Sequence, residues 1–195
     1  TMYPLIAQSV DVPDDRSSIT FTLNPAARFH DGSPITADDV LFSFETLREM
    51  GRPNMRRIYK MATPEKLGEG KIKFTFGEGA DRETPMIFAL MPIISKAYWQ
   101  NKNFDETTLT APLGSGPYKI AAVDPGRQII YERVPDYWAK DLLSNKGLHN
   151  FERIIYDYYR DDSVAFEAFK AGDMDFRRES DIGQWFDGYD FPALK

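Results

Sequence analysis

One hydrophobic stripe at helical spacing stands out in the first third of the chain. Its apolar members fall on one face of a helix: Val40, Leu41, Phe44 and Leu47. Thr36 and Asp39 have the spacing of a capping box, in which each side chain accepts a hydrogen bond from the other residue's backbone N–H. Gly51 and Pro53 are typical of the residues that follow a helix end. The pattern therefore predicts a helix from Ala37 to about Met50.

Alternating apolar and polar residues predict β-strands on both sides of this helix. Residues 19–23 alternate apolar side chains with threonines, and an apolar segment at 5–10 precedes them across a polar turn at 13–15. A hairpin with one buried face is expected there. Residues 71–76 also alternate strictly, and they should pair with a preceding strand across the glycines at 68–70.

The segments next to these strands give weaker signals. Residues 52–54 are predicted to be a loop, while 56–62 fit a strand or a short helical turn equally well. Thr84, followed by Pro85, has the spacing of an N-cap with proline at the first helical position, which predicts a helix through Met91. A second short helix is expected around residues 95–100.

The second half of the chain begins after a polar stretch. Residues 101–112 lack periodicity and predict a surface loop with a boundary near Pro112. A hairpin is predicted over the turn at 124–126, followed by a strand within 151–159. Four further predictions cover the end of the chain: a cap at Ser163, a helix over 164–170 that ends at Gly172, a short strand at Met174 and a helical turn over 181–185. The element order gives a mixed α+β fold class.

Composition excludes several classes of protein. The chain has 195 residues, a net charge of −6 and no cysteine, so it has neither disulfides nor thiolate metal sites nor a cysteine nucleophile. Its basic residues form no cluster longer than a pair, which argues against nucleic acid as a partner. No apolar run approaches the roughly 20 residues that cross a bilayer.

Residues with catalytic or metal-binding potential mostly have structural explanations. Asp38 and Asp39 are adjacent in a first helical turn, where they point about 100° apart and suit the cap and the helix dipole better than acid/base chemistry. His30 and His149 have no carboxylate at ligand spacing, so no metal is expected. Ser115 lies in Gly-Ser-Gly-Pro, which is neither a nucleophile elbow nor a P-loop.

Four segments carry a resemblance to a known family. They are FHDGSPITADDVLFSFETL (29–47), LGSGPYKI (113–120), ERVPDYWAKDL (132–142) and YRDDSVAFEAFKAGDMDFRRE (159–179). In amino-acid sequence, order and spacing, these segments resemble those of the extracellular solute-binding proteins of family 5, which are the periplasmic oligopeptide receptors of ABC importers. The resemblance is greatest to the branch that takes up peptides and microcin-type conjugates. Those receptors are well over twice as long, so the resemblance implies that this chain is a piece of one.

The resemblance also implies a domain organisation and a location. Residues 1–112 would form the smaller α+β lobe of a type II periplasmic-binding-protein-like fold, and 113–195 an incomplete segment of the larger ligand-binding lobe. The protein would be periplasmic and peripheral to the membrane, would need no cofactor and would not be an enzyme. Its partners would be a peptide or peptide-like solute and the membrane permease subunits of an ABC transporter.

Candidate site residues follow from the same resemblance. The segment Gly114, Ser115, Gly116 and Pro117 would be the hinge between the lobes, because glycines absorb backbone rotations; an ordinary tight turn is the alternative. The loop with Arg177, Arg178 and Glu179 would face the ligand groove, together with Tyr118 near the hinge. The alternative for the loop is a solvated charge cluster.

Two further questions stay open at the level of sequence. The tyrosines at positions 156, 158 and 159 could pack a sheet or line a cleft. The alternative function is an acid/base hydrolase, which would need two carboxylates about 5 to 10 Å apart in one pocket. A module that only docks onto another protein is a third possibility.

Overall fold

The computed structural model describes residues 5–191, and it contains two antiparallel sheets with helices between and after them. The strands of the first sheet are β1 (Ala7–Asp11), β2 (Ser18–Leu23), β3 (Ala62–Gly68) and β4 (Lys71–Phe76); those of the second are β5 (Tyr118–Asp124), β6 (Gln128–Arg133) and β7 (Arg153–Asp157). The helices are α1 (Ala37–Met50), α2 (Pro53–Tyr59), α3 (Thr84–Ala89), α4 (Lys96–Trp99), α5 (Asp162–Ala171) and α6 (Ile182–Asp187). The predicted mixed α+β class is confirmed.

The first sheet has the strand order β1-β2-β4-β3 and carries the main core. Phe44 from α1, Phe74 from β4 and Phe88 from α3 are almost fully buried, and the ring centroid of Phe74 lies 5.2 Å from each of the other two. The prediction of one buried face is too simple, because β2 lies between two strands and is buried along nearly its whole length, whereas β1 is mostly exposed.

Helix α1 confirms the capping box in detail. The Thr36 hydroxyl accepts a hydrogen bond from the Asp39 N–H at 3.4 Å, and Oδ2 of Asp39 accepts one from the Thr36 N–H at 2.9 Å. Gly51 ends the helix in an extended conformation rather than the left-handed one usual for a C′ glycine. A Cβ there would lie 2.3 Å from the Leu47 carbonyl oxygen, so this position has no room for a side chain.

Two predictions near α1 are wrong. The predicted loop at 52–54 is the start of α2, because Pro53 occupies the first helical position, where its fixed φ suits a helix. Thr84 is the first residue of α3 rather than its cap, and the helix ends at Ala89, before Met91. The Asp81 carboxylate caps this turn instead, since it accepts a hydrogen bond from the Thr84 N–H at 2.9 Å.

The second sheet has the order β5-β6-β7, which confirms the predicted hairpin across Gly126. Ser163 does not cap α5. The helix begins at Asp162, two residues before the predicted start at 164, because Oδ1 of Asp161 accepts the Val164 N–H at 3.0 Å, and it ends as predicted at a left-handed Gly172. No strand forms at Met174 within the described residues. The side-chain hydrogen bonds of Arg177 and Glu179 order the loop that follows it.

Candidate functional site

The loop between α5 and α6 holds an ion pair that is closed off from water. The side chain of Arg177 is 9% exposed and that of Glu179 is 5% exposed. Nη1 of Arg177 donates to Oε2 of Glu179 and, at 3.1 Å, to the Tyr189 hydroxyl, while Nη2 donates to Oε1 of Gln184 at 3.3 Å. The Tyr189 hydroxyl in turn donates to Oε2 of Glu179 at 3.0 Å. The pair therefore ties the loop to α6 and to the segment after it.

Glu179 also orders the backbone of its own loop. Its Oε1 accepts hydrogen bonds from the N–H groups of Ser180 and Asp181, at 2.8 and 2.7 Å. The bond from Asp181, followed by those from Arg177 and Tyr189, outweighs the effect of burial and holds the pKa of Glu179 below its ordinary value. Glu179 is therefore a carboxylate at neutral pH.

Arg177 is charged for a related reason. Burial alone would lower its pKa, but the hydrogen bonds with Glu179 and Tyr189 outweigh that effect and raise the pKa above its ordinary range. The guanidinium carbon also lies 5.3 Å from the ring centroid of Phe166 on α5, at cation–π distance. Arg177 thus joins its loop to Phe166 on α5 and to Gln184 on α6 in one small cluster of side chains.

Arg178 differs from its two neighbours. It is exposed, and among residues 5–191 it makes no hydrogen bond or ion pair. The preceding Phe176 is 82% exposed. Of the three predicted loop residues, two hold the loop in shape and one points to solvent. The alternative of a solvated charge cluster is wrong for Arg177 and Glu179, because their side chains are buried.

Tyr118 and Tyr156 lie on strands of the second sheet, while Tyr158 and Tyr159 follow the end of β7. Tyr118 begins β5, and its hydroxyl donates to the Phe151 carbonyl at 2.8 Å. Tyr156 packs its ring 5.7 Å from that of Tyr131, but it is more than half exposed, as is Tyr158. In the part of the chain that the structure describes, no contact joins Tyr118 to the loop at 177–179.

The predicted hinge is held from one side by His30. The backbone N–H of His30 donates to the Gly114 carbonyl at 2.8 Å, and its Nε2 lies 2.9 Å from the Gly116 carbonyl oxygen. The imidazole also lies directly against Gly114, where an added Cβ would be 3.0 Å from Cε1 of the ring.

Residues of the second sheet region hold the other side of this segment. Nε1 of Trp138 donates to the Ser115 carbonyl at 3.0 Å. The Val134 N–H donates to the Pro117 carbonyl at 2.8 Å. All four carbonyls of the predicted hinge are therefore hydrogen-bonded in this structure.

The acidic pair at the start of α1 does not form a catalytic dyad. Oδ2 of Asp39 belongs to the capping box, and its Oδ1 accepts the Lys96 N–H at 2.9 Å. Asp38 pairs with Lys66 at 2.9 Å. These contacts leave the hydrolase alternative without the residues that motivated it.

Two surface concavities of about 290 and 680 Å³ lie at the start of α1 and beside residues 14–17, and neither is lined by the predicted ligand-binding residues. Within residues 5–191, no three His, Asp or Glu side chains are grouped to hold a metal ion, and no helix is long and apolar enough to cross a bilayer.

The fold places the chain among proteins of the type II periplasmic-binding-protein fold, of which it covers a part. The chain belongs to the bacterial extracellular solute-binding proteins of family 5, because residues 1–195 match the "Bacterial extracellular solute-binding proteins, family 5 Middle" model. This is a family of solute-binding proteins.

Three relatives describe the similarity. The chain is 42% identical to the "Probable peptide-binding protein YejA" of Agrobacterium fabrum, over 99% of this chain and 33% of that protein. It is 41% identical to the "Peptidoglycan-binding protein YepA" of the same organism, over 100% and 33%. The solved oligopeptide-binding protein of a Thermotoga maritima oligopeptide ABC transporter is 25% identical with a TM-score of 0.72, over 88% of this chain and 32% of that one. The chain thus spans about a third of the length of these relatives.

Three residues of this site were missed at the level of sequence. The sequence predicts His30 only as a possible half of a metal site and predicts no site role for Trp138 or Tyr189. Their contacts join residues far apart in the chain, such as the 86 positions between His30 and Gly116. A histidine without a possible metal partner, next to a tight turn, is the only local signal that could have pointed to such a role.

Proposed function

We propose that this chain is part of a periplasmic receptor that captures peptides or peptide-like solutes and delivers them to the permease subunits of an ABC transporter. The observation that carries the proposal is the family match over the whole chain. The names of the relatives support peptide as the ligand class.

We also propose that the two sheets belong to two lobes. Residues 1–112 would be the smaller lobe, and 113–195 an incomplete segment of the larger, ligand-binding one. Two features of the structure support this division. The strands of each sheet pair only within that sheet among the described residues, and residues 101–117 between them contain no helix or strand.

The loop geometry suggests separate roles for the three predicted residues. Arg178 is exposed and without a protein partner among the described residues, so it is the side chain free to pair with a peptide carboxylate. Arg177 and Glu179 would position that loop through their buried ion pair. Tyr118, near the crossover, would contribute a ring face at the edge of the groove.

A peptide released from peptidoglycan is a second candidate ligand. The relative YepA is named for peptidoglycan binding and is 41% identical to this chain. Such a ligand shares the peptide backbone and the free carboxylate of an ordinary short peptide. Both candidates therefore use the same chemistry at the loop.

Calorimetry on two proteins tests the proposal. A pool of short peptides and a peptidoglycan tripeptide would be titrated into the 195-residue chain and into the longer receptor that contains it. The longer receptor should bind at micromolar levels or better. The chain alone should bind roughly a thousandfold more weakly. The part of the larger lobe that lies outside this chain would supply a buried charged partner for the ligand, and losing such a partner costs about 2 to 5 kcal/mol.

The possible results separate the claims. A longer receptor that binds neither ligand would overturn the proposed function. Micromolar binding by the chain alone would show that the groove is complete within these residues, and the proposal of an incomplete lobe would be dropped. In the longer receptor, Arg178→Ala should weaken binding while Arg127→Ala, an exposed arginine at the β5–β6 turn, should not.

A further inference from the structure

We infer that His30 is a positioning residue that latches the crossover, residues 114–117, to the first sheet and so fixes the arrangement of the two sheets. The crossover is the only described backbone route from residues 5–113 to the second sheet. The arrangement it adopts therefore sets how the first unit (residues 5–113) and the second unit (residues 118–191) face each other. This inference concerns the chain itself and does not depend on any ligand.

His30 is well placed to act as a fixed point. It lies in the tight turn between β2 and α1, where the Phe29 N–H donates to the Ser33 carbonyl at 2.9 Å and the Gly32 N–H donates to the Phe29 carbonyl at 3.0 Å. Phe29 is buried in a small apolar cluster, against which Leu113 and Trp138 pack. The turn is thus anchored on both sides of His30.

The carbonyls of the crossover alternate between the two units. Those of Gly114 and Gly116 point to His30, which belongs to the first unit. Those of Ser115 and Pro117 point to the second unit, where the Trp138 indole and the Val134 N–H donate to them. The four residues are therefore hydrogen-bonded both to His30 and to residues 134–138, and the Trp138 ring also packs on the Phe29 cluster.

The imidazole contributes a donor that no other side chain supplies. The Gly116 carbonyl can only accept a hydrogen bond, so the Nε2 of His30 must carry the hydrogen. A backbone rotation between Gly114 and Gly116 would have to break this bond or the one to Gly114. The predicted hinge is thus held to the first unit by the two hydrogen bonds of His30, which we call the latch.

The need for glycine at position 114 is explained by the close approach of the His30 ring and not by backbone flexibility. Its φ is not in the left-handed region, and a Cβ there would lie 3.0 Å from Cε1 of His30. At Gly116 the nearest atom to an added Cβ is the Tyr118 carbonyl oxygen at 3.9 Å, an ordinary contact. An alanine should therefore displace the latch at one position and be accepted at the other.

The absence of cysteine in the chain makes a direct distance measurement possible. Glu65→Cys on β3 and Ala122→Cys on β5 place one spin label on each sheet, at exposed positions. Pulsed electron resonance then gives the distribution of distances between the units. His30→Phe keeps a ring but removes the donor, whereas His30→Gln keeps an N–H donor at about the same reach.

The latch predicts a specific order among the variants. His30→Phe should raise the population of other distances roughly fivefold, the effect of losing one hydrogen bond, and His30→Gln should retain most of the original distribution. Gly114→Ala should resemble His30→Phe, and Gly116→Ala should resemble the unmodified chain. The glycine pair decides the question if His30→Phe does not fold.

Two results would overturn the inference. One is a His30→Phe distribution identical to that of the unmodified chain. The other is an equal effect of alanine at Gly114 and Gly116, which would mean that backbone flexibility matters there and the close approach of the imidazole does not.

Discussion

The two units of this chain differ in how completely they bury their apolar residues. In the first unit, α1 and α3 close one face of the sheet, and Phe44 is fully buried. In the second unit, large side chains on and near α6 remain in solvent, such as Phe186 at 78% exposure and Phe176 at 82%. The first unit therefore has a closed apolar core, whereas the second leaves large apolar side chains in solvent. This difference is expected if further segments of a longer receptor pack on the second unit.

The largest effect should come from truncating matched phenylalanines in the two units. Phe44→Ala should lower the free energy of unfolding by about 3 to 5 kcal/mol, because it removes a buried ring and leaves a cavity. Phe186→Ala should change it by less than about 0.5 kcal/mol, as is usual for exposed sites. Urea denaturation measures both. Similar losses for the two variants would erase the proposed contrast.

The second prediction concerns the cap of α1, where the structure adds to the sequence analysis. Thr36→Ala should cost about 1 kcal/mol as a lost N-cap. Asp39→Ala should cost more, about 2 kcal/mol, because its second oxygen also holds the Lys96 N–H at the start of α4.

The double variant supplies the control for this prediction. Since Thr36 and Asp39 bond each other's backbone, the loss in the double variant should be smaller than the sum of the single losses. Strictly additive losses, or a larger effect for Thr36→Ala, would contradict the shared cap.

These two elements show what could be read from the sequence and why. The capping box and α1 depend on residues three or four positions apart, so local spacing was sufficient. At α5 local spacing was ambiguous, because Asp161, Asp162 and Ser163 are all good caps in succession. The structure selects Asp161, whose oxygen reaches the Val164 N–H.

The rest of the site could not be predicted from neighbouring residues in the sequence. Arg177 and Glu179 were identified as a charged loop, but their burial depends on Tyr189 and Phe166, which approach only in the folded chain. The contact of His30 with Gly116 likewise joins two loops that show no periodicity. Strand β2 looked half-buried because alternation reports the side chains of one strand and carries no information on what covers its other face.

A third prediction uses acid to test the ion pair of the second unit. The folded pKa of Glu179 is lowered, so its carboxylate stabilises the fold above the ordinary pKa of 4.5, and this contribution is lost as the pH falls through the folded pKa. Glu179→Gln should therefore be less stable than the unmodified chain near neutral pH, and the difference should shrink below pH 4.5.

Trp185 of α6 gives a local signal for this test, because its ring lies 5.5 Å from that of Tyr189. The chain has two other tryptophans, Trp99 and Trp138, so both are replaced by phenylalanine in the two proteins compared, and denaturation followed by Trp185 fluorescence at several pH values then measures the difference. If the difference in free energy of unfolding between the unmodified chain and Glu179→Gln stays constant from neutral to acid pH, the ion pair of Arg177 and Glu179 does not contribute to stability as proposed.

A fourth and smaller effect is self-association of the isolated chain through β7. Within the described residues no strand pairs with the far edge of β7, and open edges tend to pair with other chains. An antiparallel pairing of two copies about Ile155 would place Arg153 opposite Asp157, which is favourable in charge.

Sedimentation velocity at increasing concentration measures this association. Ile155→Lys should reduce it, because a charge at the centre of the edge disfavours pairing. A strict monomer at high concentration, in the unmodified chain, would show that the edge is blocked.

Hydrogen exchange of the isolated chain tests the central contrast most directly. Amides of β2 and β4 should exchange only through global unfolding, whereas those of α5 and α6 should exchange much faster through local opening, because few buried contacts hold these helices. In the longer receptor the same two helices should become protected. Equal protection of both units in the isolated chain, with no gain in the longer receptor, would contradict the account of a complete first unit and an incomplete second one.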